Sequence, residues 1–328
     1  MQTAEFDYLL PPERIAQRSI EPRDHAQLLV IDRFKEHLKD AHVFDLPQLL
    51  RPNDLLVLND TKVFKARLEA TLGSRSYEVF LLRGDGTRWE TLIRRSRHLQ
   101  PGDKLRLRDA SIFTVLDKKP DGIVMIDTHR TMVEVFAYAD QYGHVPSPPY
   151  VTQVTKLDQY QTCYAQTIGS VAAPTAGFHF TPDLFTRLEA AGVRHTFVTL
   201  HVGIGTFRPM TSDILETHVM HEEWCEVPEQ TWRLIEETKK NGGRVIAIGT
   251  TTVRALESGR TGMTNLFITP GYRFRVVDGL MTNFHLPRST LLVLVSAFAG
   301  TTLIKHAYQH AIDHAYRFYS FGDAMLIT

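Results

Sequence analysis

Five short runs and one basic window hold the residue types from which chemistry could be built. In the first, the apolar segment Val245-Ile246-Ala247-Ile248 leads through Gly249-Thr250-Thr251-Thr252 to Arg254 and Glu257. A buried strand that turns through glycine into a helix offers unpaired N–H groups and the positive end of the helix dipole, and both favour an anion. Arg254 could clamp a carboxylate or phosphate there; helix capping with an Arg254–Glu257 surface pair would explain the same residues. In the second run, Phe197 to Leu200 reads as a strand that ends in His201-Val202-Gly203-Ile204-Gly205-Thr206, a loop whose glycines also suit a simple turn. The third, Ala173-Pro174-Thr175-Ala176-Gly177-Phe178-His179, is an irregular loop before a helix, the kind of segment that carries function on a rigid scaffold.

The fourth run is His218-Val219-Met220-His221-Glu222-Glu223. Its spacing is not His-Glu-x-x-His and no cysteine pair supports it, so no metal is expected. An acid–base pair of His221 with Glu223 fits better, since imidazole and carboxylate are the usual carriers of catalytic protons. In the fifth, Thr282-Asn283-Phe284-His285-Leu286-Pro287, an amide and an imidazole suit a nucleobase edge, though Asn and Pro are also ordinary turn residues. The basic window runs from Arg83 to Arg108, with eight basic and three acidic residues, Arg94, Arg95 and Arg97 among the former. It could follow a phosphate backbone, or be a solvated face.

These runs need elements to position them. Asp54 to Asn59 is an apolar run closed by Asp60-Thr61, the pattern of a strand buried on both faces. From 62 to 150 the pattern changes to short β-type segments separated by Gly and Pro turns: Ala66–Leu72, Tyr77–Leu82 and Trp89–Ile93. That spacing predicts an antiparallel barrel or sandwich, ending at the rigid connector Gly143 to Pro149. From 151 onward strand and helix alternate. Helices are expected over Pro182–Ala191, with Thr181 as N-cap, and over Pro228–Lys240, and a parallel strand over Arg244–Gly249. The expected architecture is therefore α/β. A mixed-sheet, barrel-like main domain (1–61 and 151–328) carries an inserted small antiparallel β-barrel domain (62–150).

Composition narrows the class. The chain has 328 residues, 43% hydrophobic and 23% charged, with 37 basic and 37 acidic side chains. Disordered and fibrous classes are excluded, and so is a generic polycation; a local RNA-binding patch is not. Two cysteines cannot build a disulfide framework, so the chain reads as cytosolic. The N-terminus shows no secretory pattern. The apolar run Leu291 to Gly300 is about half the length of a membrane span and reads as a buried strand or helix.

Taken together, the motifs resemble one family, the S-adenosylmethionine:tRNA ribosyltransferase-isomerases of queuosine biosynthesis. The matching runs are Asn59-Asp60-Thr61 with Ala66-Arg67-Leu68, Gly169 to Gly177, His201-Val202-Gly203 with Gly205-Thr206-Phe207, Met220-His221, Gly249-Thr250-Thr251 with Val253-Arg254, Thr282 to Pro287, and Tyr316-Arg317-Phe318 with Gly322-Asp323-Ala324-Met325. They occur in family order along nearly the whole chain. Phe178 stands where the family usually has Leu, and Glu222 where it has Ser; register gives Glu223 the family's acidic role.

The resemblance implies that the ribosyl unit of S-adenosylmethionine is joined to 7-aminomethyl-7-deazaguanine at the wobble position of tRNA. Adenine and methionine leave, and epoxyqueuosine-tRNA forms. S-adenosylmethionine is then a consumed donor, and no true cofactor, metal or membrane partner is expected; a monomer is expected. His221, Glu223, His285 and Asp323 would be catalytic. Arg67, Pro174, Thr175, Gly177, His179, His201, Gly203, Gly205, Thr206, Gly249, Thr250, Thr251, Arg254 and Asn283 would bind substrate, with Arg254 and the Thr250-Thr251 turn on the methionine carboxylate. Arg94, Arg95 and Arg97 would touch tRNA. Two other classes compete: a non-catalytic RNA-binding module, which would lack a donor site, and an RNA methyltransferase, which would release S-adenosylhomocysteine and is disfavoured by the missing glycine-rich fingerprint.

Overall fold

The computed structural model describes residues 1–120, 122–151, 156–203, 210, 212–259 and 261–328. Its frame is a nine-stranded mixed sheet in the order Gly262–Thr264, Glu223–Glu226, Arg194–Leu200, Leu55–Asn59, Val245–Ile248, Gly279–Asn283, Ala324–Ile327, Gln27–Asp32, His37–His42. The four strands Arg194–Leu200, Leu55–Asn59, Val245–Ile248 and Gly279–Asn283 are mutually parallel. Leu55–Asn59 is fully buried along its length, as its unbroken apolar run demands. Among the described residues Gly262–Thr264 and His37–His42 are the outer strands of this large mixed sheet. The outer strand His37–His42 exposes His37, Lys39, Asp40 and His42, polar side chains of the kind that protect an edge.

Helices cover the faces. Pro182–Ala190 begins where Thr181 Oγ1 accepts from the Leu184 N–H, and Glu229–Lys240 follows Pro228. The run after Ser289 is a helix, Thr290–Ala299, bent by 114° into Thr301–Asp313 and packed in the core. Among the described residues no single helix is long and apolar enough to cross a membrane. A Leu or Ile buried in such a core contributes roughly 1.5–3 kcal/mol.

The second body is a closed six-stranded antiparallel barrel, ordered Ile123–Asp127, Arg88–Ile93, Arg75–Asp85, Arg67–Leu72, Lys104–Arg106, Ile112–Lys118. The chain leaves the large sheet through Thr61–Val63 and returns through Thr167–Ser170, and these two segments pair in parallel. A helix, Met132–Tyr142, packs on the barrel, with Phe136 edge-on to Phe64 and Trp89 at 5.0 and 5.8 Å. The strand pattern of this stretch concealed it. Its signature is nevertheless present in Thr131-Met132-Val133-Glu134, a capping box in which Thr131 and Glu134 satisfy each other's backbone N–H groups.

Candidate active site

The parallel strands end together at Asn59, Leu200, Ile248 and Asn283. From Leu55–Asn59 the next sheet strand, Arg194–Leu200, lies on one side and Val245–Ile248 on the other, which makes the end of Leu55–Asn59 a switch point. Ligands of open α/β sheets bind in the crevice at such a point. Asn59 ties the edge together. Its Nδ2 donates to Leu200 O at 2.9 Å and to Thr251 Oγ1 at 3.3 Å, and its Oδ1 accepts from Leu200 N at 3.0 Å.

A cleft opens there, lined by Pro174, Thr175, Gly249, Thr250, Thr251, Asn283 and His285, and also by Tyr150, Thr282, Tyr319 and Ser320. Gly249 turns the chain at φ +90°, a left-handed value that disfavours other residues, and so lets the helix Thr250–Ser258 begin at the cleft wall. The unpaired N–H groups of its first turn give the cleft a positive end.

The histidines here are neutral supports. Burial pushes His285 down to about 3, and its Nε2 shares a hydrogen bond with Thr282 Oγ1 at 3.1 Å. Burial likewise takes His179 to about 4; its Nε2 meets Asn283 Nδ2 at 3.2 Å. His285, expected to be catalytic, thus lies in the cleft wall with its Nε2 engaged by Thr282. Asn283 is also committed: Thr175 Oγ1 donates to its Oδ1 at 3.0 Å, and Nδ2 reaches His179 and the Asp323 carbonyl. Both of its donors are engaged within the protein, so it shapes the wall more than it offers a free amide. Gly177 faces Tyr164, whose hydroxyl fills the space that a side chain would need.

Val202 belongs to this cleft and to a second one. The second cleft lies between sheet and barrel and brings together His201, Gly203, His221, Glu223 and Trp224 with Arg83, Trp89 and Phe136. His201 stacks on Trp224 with ring centres 5.1 Å apart, shares a hydrogen bond with Thr61 Oγ1 at 2.8 Å, and is pushed down to about 4 by burial.

The Glu223 side chain does not pair with His221. Its Oε1 accepts from Gly203 N at 2.8 Å and its Oε2 from Arg254 Nη1, both residues being 5% exposed. Arg254 Nε donates to Leu266 O at 3.1 Å, and Nη2 has no partner among the described residues. Arg254 is thus engaged by Glu223 rather than open beside Thr250 and Thr251.

Two further expectations change. Asp323 is 1% exposed and its carboxylate faces the protein: Oδ1 accepts from Gln27 N and Arg317 Nη2, Oδ2 from Arg317 N. It braces the turn before Ala324–Ile327 and is no catalytic acid by this geometry. Arg67 lies on the barrel, donating to Glu78 at 2.9 Å above the Phe80 ring. There it lines a groove of about 480 Å³ with Arg94, Arg95, Arg106, Arg108 and His144, against Glu69 and Glu78. Arg97 stands outside that lining and donates to His98. Gly205 and Thr206 lie outside the described residues.

Sequence reasoning missed Tyr150, Tyr319 and Ser320, which close the first cleft and include a 2.6 Å bond between the Tyr150 and Ser320 hydroxyls. Burial raises Tyr150 and Tyr319 to about 12. The only signal was position, Tyr319-Ser320 falling inside the tail motif Tyr316 to Met325. It also missed Trp224, the strand residue beside Glu223.

The protein is of the mixed α/β class, a large mixed sheet with a cleft at its switch point joined to a closed barrel that bears an arginine-rich groove. The queuosine biosynthesis protein family model matches residues 3–327. The S-adenosylmethionine:tRNA ribosyltransferase-isomerase of Thermosynechococcus vestitus is 47% identical, spanning 98% of this chain and 94% of the relative. That of Zymomonas mobilis is 45% identical over 98% of both chains. A crystal structure of S-adenosylmethionine tRNA ribosyltransferase from Thermotoga maritima, 37% identical, covers 99% of this chain and 100% of that one with a TM-score of 0.58. The chain belongs to the queuosine biosynthesis protein family.

Proposed function

We propose that the protein transfers and isomerises the ribosyl unit of S-adenosylmethionine onto 7-aminomethyl-7-deazaguanine at the wobble position of tRNA, releasing adenine and methionine and leaving epoxyqueuosine-tRNA. The observation that carries the site assignment is the helix start at Gly249-Thr250-Thr251, which presents N–H groups to a cleft at the sheet's switch point. The methionine carboxylate of the donor is the anion that fits it.

The positive sulfur acidifies the adjacent ribose carbon and makes methionine a neutral leaving group. A base removes a proton from that carbon, adenine departs with a proton, the neutral aminomethyl nitrogen bonds to the sugar carbon that adenine left and gives up a proton, and neutral methionine leaves as a sugar oxygen closes the epoxide. The donor would occupy the first cleft, against Thr175, Thr250, Thr251 and neutral His285. The deazaguanine would enter the second cleft, extruded from the anticodon stack and placed near Trp224, with Val202 between the two substrates. His221, at the wall of that cleft, is the side chain assigned to proton transfer. Glu223 acts through Gly203 and Arg254, which it holds. The arginine groove of the barrel would take the tRNA backbone, with Arg94 and Arg95 in contact and Arg97 at its margin.

Product analysis tests this reading. Purified protein is mixed with S-adenosylmethionine and tRNA carrying the aminomethyl base, and adenine, methionine and modified tRNA are measured, with unmodified tRNA as control. Adenine and methionine released in equal amounts, only with the modified base, is the expected result. S-adenosylhomocysteine would mean methyl transfer, and tRNA binding without release would mean a binding module.

A further inference from the structure

Away from both clefts, Asp40 of the edge strand meets His310 and His314 at the end of the helix Thr301–Asp313. One ligand atom from each lies within 4.8 Å of the other two. We infer that this trio is a binding site for a divalent ion of the zinc type, with water completing the coordination.

The donor set is two imidazoles and one carboxylate, which suits zinc and not magnesium or calcium. The two histidines stand four apart, so a helical turn puts them on one face. Their rings stack with centres 3.9 Å apart. His310 Nε2 lies 3.0 and 3.2 Å from the two Asp40 oxygens. A tetrahedral zinc with bonds of about 2.0–2.1 Å holds its ligands about 3.3 Å apart, so these two groups need little movement to share one ion.

The supporting bonds are those that a metal site uses to aim its ligands. His314 Nδ1 lies 2.8 Å from the His310 carbonyl. A carbonyl only accepts, so Nδ1 carries the proton and Nε2 keeps its lone pair. The Tyr316 hydroxyl donates to Asp40 Oδ1 at 2.6 Å and fixes the carboxylate. A simple His310–Asp40 pair explains those two residues but not the third, the His314 ring, which stacks on His310 and brings a ring nitrogen within 4.8 Å of the other two ligand atoms. An ion here would staple the edge strand to the C-terminal helix. It would also steady the segment from Tyr316 to Ser320, whose last two residues line the first cleft. The role is structural, and no step of the proposed reaction runs through it.

The test is titration of the metal-free full chain with zinc chloride by calorimetry, paired with thermal unfolding. One zinc per chain with a dissociation constant in the micromolar range is expected, with Tm raised by about 2–5 °C at saturation. His314→Gln, at an exposed position, and His310→Gln should each weaken binding at least tenfold and abolish the Tm rise. His221→Gln should leave both unchanged. Stoichiometric zinc that persists in both H310Q and H314Q, or no binding by the parent chain at a tenfold excess of zinc, overturns the site.

Discussion

Replacing Glu223 by Gln separates a positioning role from a catalytic one. The glutamate joins two loops: its Oε1 holds the Gly203 N–H and its Oε2 the Arg254 guanidinium, in a site only about 5% exposed. The amide keeps an acceptor for Gly203 but removes the charge opposite Arg254, whose remaining partner among the described residues is the Leu266 carbonyl. Leaving a buried charge uncompensated costs about 3–5 kcal/mol. Since Gln still fills the space and accepts one bond, the lower end applies, about 3 kcal/mol. For a chain of 328 residues that lowers Tm by about 4 °C. Urea unfolding at pH 7.5 gives the free energy, and adenine release gives kcat and KM on the same samples. Arg254→Met is expected to cost a similar amount. The double variant should be more stable than either single one, because removing both partners leaves no orphaned charge. If Glu223→Gln unfolds within about 0.5 kcal/mol of the parent while kcat collapses, and Arg254→Met keeps full turnover, Glu223 acts on substrate directly and the positioning argument is wrong.

Three other outcomes follow from the same geometry. Burial holds His179, His201 and His285 near 4, 4 and 3, against about 6.5 for an unfolded histidine. The unfolded chain therefore binds protons that the folded chain refuses, so stability is full above about pH 6.5 and falls as pH drops toward about 4. Three such groups take away about 3–4 kcal/mol between pH 6 and 5, and urea midpoints that hold steady over that interval would contradict the burial argument. Gly249→Ala forces a side chain into φ +90° with its Cβ 3.5 Å from Ala176. It should cost about 1–3 kcal/mol and, by tilting the Thr250–Thr251 turn, raise KM for S-adenosylmethionine more than it lowers kcat; an unchanged KM removes that turn from the donor site. Arg94→Glu with Arg95→Glu should weaken tRNA binding at least tenfold at low salt and flatten the salt dependence by about 0.7 per lost single-stranded phosphate contact, leaving KM for the donor intact. Equal tRNA affinity in filter binding would shift the RNA to another face.

The sequence was most readable where local chemistry decides the backbone. The strand at Leu55–Asn59 has no polar break, Thr181-Pro182 is a helix start in two residues, and Gly249 marks a turn that needs a positive φ. Short alternating strands between Gly and Pro turns were enough for a closed barrel. What did not transfer were partnerships across long separations. Nothing near Arg254 in sequence says that Glu223, 31 positions earlier, will claim its guanidinium. Nothing near Asp323 says that Arg317 and the Gln27 amide will surround its carboxylate. Polar residues in a shared motif read alike whether they meet substrate or brace the loop that does, because both duties call for the same donors and acceptors. The Arg67 side chain was misplaced for a related reason: its motif begins in the large sheet at Asn59, but the chain has crossed into the barrel eight residues later, at Arg67 itself.

That crossing has a functional consequence. The barrel is inserted directly after the carboxyl end of Leu55–Asn59, the strand at the switch point, and the chain returns through Thr167–Ser170, paired with Thr61–Val63. An insertion anywhere else in the sheet could leave the barrel at the opposite edge from the first cleft. Here the pairing of exit and return anchors it on the edge where Thr250, Thr251 and Asn283 line that cleft. His201 reinforces the junction, sitting at the end of Arg194–Leu200 and bonding to Thr61 on the outgoing segment. The second cleft is the seam this creates, with Trp89 and Phe136 of the barrel body facing Glu223 and Trp224 of the sheet. On the proposed reading, a nucleic acid held on the barrel would deliver one extruded base into the seam while its backbone stayed outside. On that reading the donor would reach the same point from the sheet side, and the Val202 segment common to both clefts would lie between the two reactants.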